Sequence, residues 1–219
     1  MGRGQPGAAR GLTLVQSRLD LPGGELRLLQ PAEAAELPDD GPVQWAPLAP
    51  YWSVLWRSGV ALARELDGAP LAGLRVAELG CGLGIPSLVA ARAGARVLAT
   101  DVEPEALELL GRNARENGLE VETACVDWTR ADYLVARGPF DLVLAADAVY
   151  EDGSGTSLLE LLPRLGPEAW LAEPGRRSRD WLPDRVRGRW SVTTTVRDHV
   201  RIHRLEGRTD GRGGVQAAG

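Results

Sequence analysis

Lysine is missing from this chain: all 25 basic residues of its 219 are arginine, set against 30 acidic ones for a formal net charge of −5. We read that exchange first as a genomic preference for GC-rich codons. The negative balance makes a poor general binder of nucleic acid, so no nucleic-acid partner is expected. Cysteine is scarce too: two residues cannot build a disulfide framework, which points to a reducing, cytoplasmic setting. No apolar run comes near the roughly 20 residues that span a bilayer, so no membrane partner is expected either. Residues 1–11 lack the apolar stretch of a secretory leader. What is present, 44% hydrophobic and 25% charged residues, allows one sizeable core and excludes disorder throughout.

Charge is unevenly placed. Residues 173–219 hold eleven arginines against six acidic residues, a basic stretch that suits an acidic partner. Both ends, 1–11 and 209–219, are rich in Gly, Ala and Arg without apolar periodicity and are expected to be mobile tails around a single domain, 12–208. Within it, 12–16 and 25–29 flank a Pro22-Gly23-Gly24 turn signal and predict a short hairpin. The Pro-rich, acidic stretch 31–50 predicts a loop. From Tyr51 the period becomes helical, with Val54, Leu55, Ala61, Leu62 and Leu66 on one stripe that Gly68 ends. Strands are predicted at 75–79, 96–100, 120–125, 140–145 and 169–172, and helices at 85–93, 104–117, 155–165 and 181–187. The alternating runs 191–197 and 199–205 predict an antiparallel hairpin. The fold class is therefore α/β: a Rossmann-like, doubly wound sheet of seven strands over 50–207. A C-terminal antiparallel hairpin closes one edge, and a short N-terminal β-hairpin and a leading helix precede the sheet.

The densest chemical signal is Glu78-Leu79-Gly80-Cys81-Gly82-Leu83-Gly84, which follows a strand and opens a helix, where glycines let the backbone approach a ligand. Asp101, 21 residues after Gly80, ends the next strand and can accept hydrogen bonds from both ribose hydroxyls of an adenosine. Two cofactors suit that pair. A dinucleotide wants G-x-G-x-x-G and no acid beside its pyrophosphate, whereas here the spacing is G-x-G-x-G and Glu78 stands just before it. Such an acid suits the ammonium and sulfonium of S-adenosylmethionine, which we favour over NAD and over a turn without a ligand. Asp127 and Trp128 follow the third strand, where a carboxylate can take an adenine amino group and an indole can cover its ring; a bare loop acid and a partly buried Trp fit as well. Ala146-Asp147-Ala148-Val149-Tyr150 follows the fourth strand. Asp147 can orient an amine and Tyr150 can line its path, although D-x-x-Y also arises by chance. Trp52 and Trp56, one helical turn apart, either line the cleft or pack in the core. Cys81 reads as a small filler rather than a nucleophile. His199 and His203 find no third ligand, so a solvated hairpin face is expected there and no metal.

Taken together, 78–84, Asp101, Asp127-Trp128 and Ala146 to Tyr150 resemble the seven-β-strand S-adenosylmethionine-dependent methyltransferases, and within them the protein-lysine group marked by D-x-x-Y. Residues 50–59, Pro-Tyr-Trp-Ser-Val-Leu-Trp-Arg-Ser-Gly, are similar to the Trp-rich helix of that group. Their spacing is most similar to bacterial enzymes of the electron-transfer-flavoprotein β-subunit lysine methyltransferase type, also labelled nicotinamide N-methylase-like. Glu173-Pro174-Gly175-Arg176 resembles the same subgroup, with Glu where Asp is more usual. The resemblance implies cofactor contacts at Trp56, Gly80, Gly82, Asp101, Trp128 and Ala146, and a substrate-side pair, Asp147 and Tyr150. Our reading of the residues adds Glu78, Cys81, Gly84 and Asp127 to the cofactor set. The activity implied is methylation of lysine side chains in a protein substrate by a monomeric enzyme. A small amine or pyridine such as nicotinamide is the alternative acceptor, and a non-catalytic S-adenosylmethionine-binding module the other class. A flipped nucleobase is disfavoured, because 147–150 lacks the prolines of a D-P-P-Y turn.

Overall fold

A Pro-Gly-Gly turn between two alternating runs folds the first strands onto each other. In the computed structural model, which describes residues 13–35, 50–148, 154–174, 182, 186 and 188–208, β1 (Leu14–Leu19) and β2 (Leu26–Pro31) form an antiparallel pair. The pairing lies later than the predicted 12–16 and 25–29 because Leu26, Leu28 and Gln30 share the buried face of β2. A one-residue slip would turn all three outward. A single helical turn, α1 (Ala32–Ala35), follows where a loop was predicted.

The apolar runs that follow become a seven-stranded sheet: β3 (Arg75–Leu79), β4 (Arg96–Asp101), β5 (Glu122–Cys125), β6 (Leu142–Ala146), β7 (Glu168–Glu173), β8 (Trp190–Arg197) and β9 (Val200–Gly207). Their order is β5-β4-β3-β6-β7-β9-β8. The first five pair in parallel, β9 runs antiparallel to β7, and β8 closes that edge. All seven predicted strands are present. Five helices cover them: α2 (Arg57–Leu66), α3 (Ile85–Arg92), α4 (Pro104–Glu116), α5 (Asp132–Arg137) and α6 (Ser154–Leu165). Alternation divides the strand residues between two cores. Val76, Leu144 and Ile202 face one, with Leu62, Leu88 and Leu110; Ala77, Leu79, Val143 and Leu205 face the other, with Leu134, Leu158 and Leu162.

Two departures concern helices. The leading helix begins later than Tyr51: Tyr51–Ser53 is a 3-10 turn, closed by the Ser53 N–H and hydroxyl on the Pro50 carbonyl at 3.0 and 2.7 Å. The chain then stays extended until Trp56, and α2 starts at Arg57. Helix α5 was not predicted, being too short to show a period. Of the helix predicted at 181–187, only Leu182 and Val186 are described, and both are buried. The predicted tails, 1–11 and 209–219, lie outside the described residues.

The N-terminal hairpin is fastened by side chains that imitate a β ladder. Asn113 of α4 accepts from the Leu29 amide at 2.7 Å and donates to its carbonyl at 3.2 Å. Asn117, at the C-cap of α4, does the same for Arg27 at 2.9 and 2.7 Å. Four helical residues rise about 6 Å and two strand residues about 6.7 Å, so one helix side can serve alternate residues of β2. The Pro22-Gly23-Gly24 turn is held separately. Asp67 accepts from the Gly23 amide, and Arg92 binds both Asp67 (3.1 Å) and the Gly24 carbonyl (2.8 Å).

Candidate functional site

Chain order reverses between β3 and β6, and a doubly wound sheet opens a crevice at the carboxyl ends of such strands. The glycine turn follows β3 and Asp147 follows β6, so both of these candidate segments flank that point.

Gly80, Gly82 and Gly84 have φ of +66°, +49° and +71°, the left-handed region that glycine enters freely. Space is short as well. A Cβ at Gly82 would stand 2.9 Å from the Trp52 carbonyl oxygen, and one at Gly84 would run into the Leu110 side chain of α4. Gly84 is thus a packing residue at the N-cap of α3, while Gly82 lets the Tyr51–Ser53 turn lie directly against the loop. At Gly80 the close neighbour is the Trp128 ring, 3.0 Å from where a Cβ would be.

Glu78 is fully enclosed beneath this turn. Its Oε2 accepts from the Ser87 amide at 2.9 Å and from the Ser87 hydroxyl, in the first turn of α3. Burial raises its pKa to about 8; the Ser87 bonds oppose the rise and the Asp101 charge adds to it. From the sequence, an acid at this position suits the ammonium and sulfonium of S-adenosylmethionine. Here it is a buried acid that holds the helix start and keeps its proton more firmly than an exposed carboxyl does. Cys81, buried with its Sγ 3.8 Å from the Gly82 carbonyl, has its thiol pKa pushed well up, chiefly by burial and then by the charges of Glu78 and Asp101. It is the expected filler.

Asp101 ends β4 with its carboxylate almost entirely buried. Oδ2 accepts from the Gly82 amide at 2.8 Å and Oδ1 from the Glu103 amide at 3.0 Å. A carboxylate offers about four lone-pair sites, so two bonds fix its aim and leave capacity for two ribose hydroxyls. Trp128, in the 3-10 turn Trp128–Arg130, rests on Gly80 and has its indole nitrogen buried without a hydrogen-bond partner among the described residues. Asp127 beside it is exposed. A glycine cradle with no room for side chains, a fixed carboxylate and an indole over the turn fit an adenosine-bearing ligand; together they pass the test that S-adenosylmethionine sets.

A family profile described as lysine methyltransferase matches residues 52–169. The chain belongs to the lysine methyltransferase family. It is 33% identical over 160 residues to the electron transfer flavoprotein beta subunit lysine methyltransferase of Xenopus laevis, covering 69% of this chain and 62% of that protein. It is 39% identical over 120 residues to protein N-lysine methyltransferase METTL21A of Danio rerio, covering 52% and 55%. The chain thus spans rather more than half the length of these curated relatives. Among solved structures it is similar to the T. thermophilus 16S rRNA N2 G1207 methyltransferase RsmC in complex with AdoMet and guanosine, with a TM-score of 0.68, 16% identity and coverage of 92% of this chain and 52% of that one. Synechocystis magnesium protoporphyrin IX methyltransferase with bound SAM gives a TM-score of 0.54 at 21% identity, over 69% of this chain and 79% of that one. Both likenesses concern the fold.

In this lysine methyltransferase family member the tip of β6 is marked by backbone strain. Asp147 has φ +51°, an unusual value for a residue with a side chain, and its amide donates to the Ala172 carbonyl of β7 at 3.0 Å. That bond holds the end of β6 to β7, and the positive φ turns the chain just past half-buried Ala146. Tyr150 lies outside the described residues. Trp56 is half-buried, its indole N–H donating to the Tyr51 carbonyl at 2.9 Å, with the two rings stacked.

The histidine expectation is corrected. His199 sits in the β8–β9 turn with φ +65°, whereas His203 is buried, its Nδ1 2.8 Å from the Thr194 hydroxyl and its Nε2 3.4 Å from Glu173. His203 therefore belongs to the packing of the hairpin on β7 rather than to a solvated face. No metal-binding group of three ligating side chains occurs among the described residues. Sequence reasoning also missed Ser87 and Glu103. Each donates a backbone N–H to a site acid, and the available signal was position alone, in the turn or first helical residues after a strand-end carboxylate.

Proposed function

We propose that this protein is an S-adenosylmethionine-dependent N-methyltransferase acting on lysine side chains of a protein substrate. The observation that carries the reading is Asp147, a carboxylate held in a left-handed conformation at the switch point beside the glycine turn. Strain kept at a strand tip is a functional investment. S-adenosylmethionine, when bound, supplies an electrophilic methyl group. Asp101 would hold its ribose, Trp128 and Asp127 its adenine, Glu78 its ammonium, and the backbone of Gly80, Cys81 and Gly82 would lie against it, with Trp56 and Ala146 closing the site.

The acceptor side has a proton to manage. A lysine ammonium of pKa ~10.4 is neutral only about 0.04% of the time at pH 7, a penalty of roughly 4.6 kcal/mol. The positive sulfonium of the bound donor and desolvation in an apolar channel lower that pKa, and Asp147 raises it. Asp147 therefore aims the incoming ammonium and the proton leaves to water. Cytoplasmic location and a monomeric state go with this reading. None of the described helices is long and apolar enough to cross a membrane.

The test is incubation of the purified protein with methyl-labelled S-adenosylmethionine and a cell lysate, followed by mass spectrometry. Without lysine the protein cannot label itself on that residue. Label on lysines of one or a few lysate proteins is the expected result; label confined to small amines or pyridines overturns the protein acceptor.

A further inference from the structure

Among the described residues Tyr51 is one of few large apolar side chains that stay exposed, at 44%, and it is not isolated. Its ring stacks on Trp56 at 6.2 Å between centroids and 20° between planes. The Trp56 indole N–H is bonded to the Tyr51 carbonyl, and buried Ser53 fastens the same turn to Pro50. The pair is therefore a rigid aromatic step rather than two loose rings. It is also placed: the carbonyl of Trp52, the next residue, rests on Gly82, so the step stands at the glycine turn, at the end of the sheet that carries Asp147.

We propose that the Tyr51 face of this step is the acceptor-side wall of the cleft, with Trp56 backing it from the cofactor side, and that Tyr51 is the residue that selects a cationic aliphatic amine over a neutral ring. The assignment rests on methyl transfer to an amine and names the class of amine. An aromatic face attracts an ammonium and covers the alkyl stem behind it, and the Asp147 carboxylate at a neighbouring strand tip favours the same charge. A neutral pyridine gains from stacking but nothing from either electrostatic element. Because the stack on a hydrogen-bonded Trp56 already restrains the Tyr51 ring, little side-chain entropy is lost when the acceptor docks.

The test is a binding titration that needs no turnover. Intrinsic tryptophan fluorescence, or ligand-observed NMR, follows N-acetyl-lysine amide and, separately, nicotinamide on wild type, Tyr51→Phe and Tyr51→Leu. Wild type should bind the lysine derivative more tightly than nicotinamide. Tyr51→Phe should stay within about twofold, and Tyr51→Leu should weaken lysine binding about 3- to 30-fold, the range of one cation–π contact. S-adenosylmethionine affinity should stay within twofold in both variants. Three outcomes overturn the proposal: nicotinamide bound as tightly as the lysine derivative, no saturable binding of the derivative, or a Tyr51→Leu loss that falls on S-adenosylmethionine instead. Failure of methyl transfer itself appears elsewhere, as absence of any labelled product in the lysate experiment.

Discussion

Replacing Glu78 with glutamine should remove a large pH dependence of stability. The carboxyl is buried under the glycine turn, and desolvation holds its pKa at about 8 against an ordinary value of 4.5. Between those values the folded protein keeps a proton that the unfolded chain has released. The unfolded state then binds fewer protons, and stability falls as pH rises. The slope reaches about 1.4 kcal/mol per pH unit while both conditions hold. Across the whole window that amounts to something of the order of 4 kcal/mol, present near pH 4.5 and lost by pH 8. Glutamine keeps an acceptor for the Ser87 amide and hydroxyl and does not titrate. Urea denaturation of both proteins at pH 5, 6.5 and 8 isolates the effect. The wild type should lose stability relative to Glu78→Gln step by step, so that the variant is the more stable protein at pH 8. A difference that stays constant from pH 5 to 8 would refute the reasoning, because Glu78 would then be ionised in the native state throughout. The same proton links folding to ligand. A cation laid beside Glu78 lowers its pKa, so S-adenosylmethionine binding near pH 7 should release up to one proton, measurable by calorimetry in buffers of different ionisation enthalpy.

Asp147→Asn preserves a residue that tolerates the left-handed backbone and removes only the charge, so turnover should fall by about 100-fold or more while cofactor affinity stays within a few fold. Equal loss of both, in steady-state kinetics beside a binding titration, would move Asp147 to the cofactor side. Gly84→Ala combines a φ of +71° with a collision against Leu110 and should cost about 2–3 kcal/mol in thermal or chemical denaturation. Asn113→Ala should cost about 2–4 kcal/mol, since it strips two hydrogen bonds from β2 at a site with no exposure, whereas Asn117→Ala, whose bonds are exposed, should cost about 1 kcal/mol or less. Equal losses for the two asparagines in denaturant titrations would count against the ladder.

What could be read from the sequence and what could not divides by the range of the interaction concerned. Strands β3, β4, β6 and β7 were legible as short apolar runs between turn signals and β8 and β9 as alternating ones, and all seven strands of the sheet formed within two residues of their expected ends. The glycine turn and Asp101 were legible for a related reason: both are strand ends, and in a doubly wound sheet the strand ends are where ligands bind. The partners of those residues were not legible. A glutamate waiting for an ammonium and a glutamate buried against Ser87 are spelled identically, and only the path of α3 tells them apart. His203 was misjudged in the same way, since alternation gives a face but not what covers it. The asparagine ladder is the extreme case: Asn113 and Asn117 meet backbone 84 and 90 residues away, and nothing in an i, i+4 pair of asparagines announces a strand. Yet that contact has reach. It fixes α4, whose Leu110 packs against Gly84 and so supports the turn on which the cofactor would rest. The N-terminal hairpin, the least telling part of the sequence, therefore bears on the most telling part through one helix. A destabilised Asn113 variant should accordingly show weakened S-adenosylmethionine binding even where it remains folded.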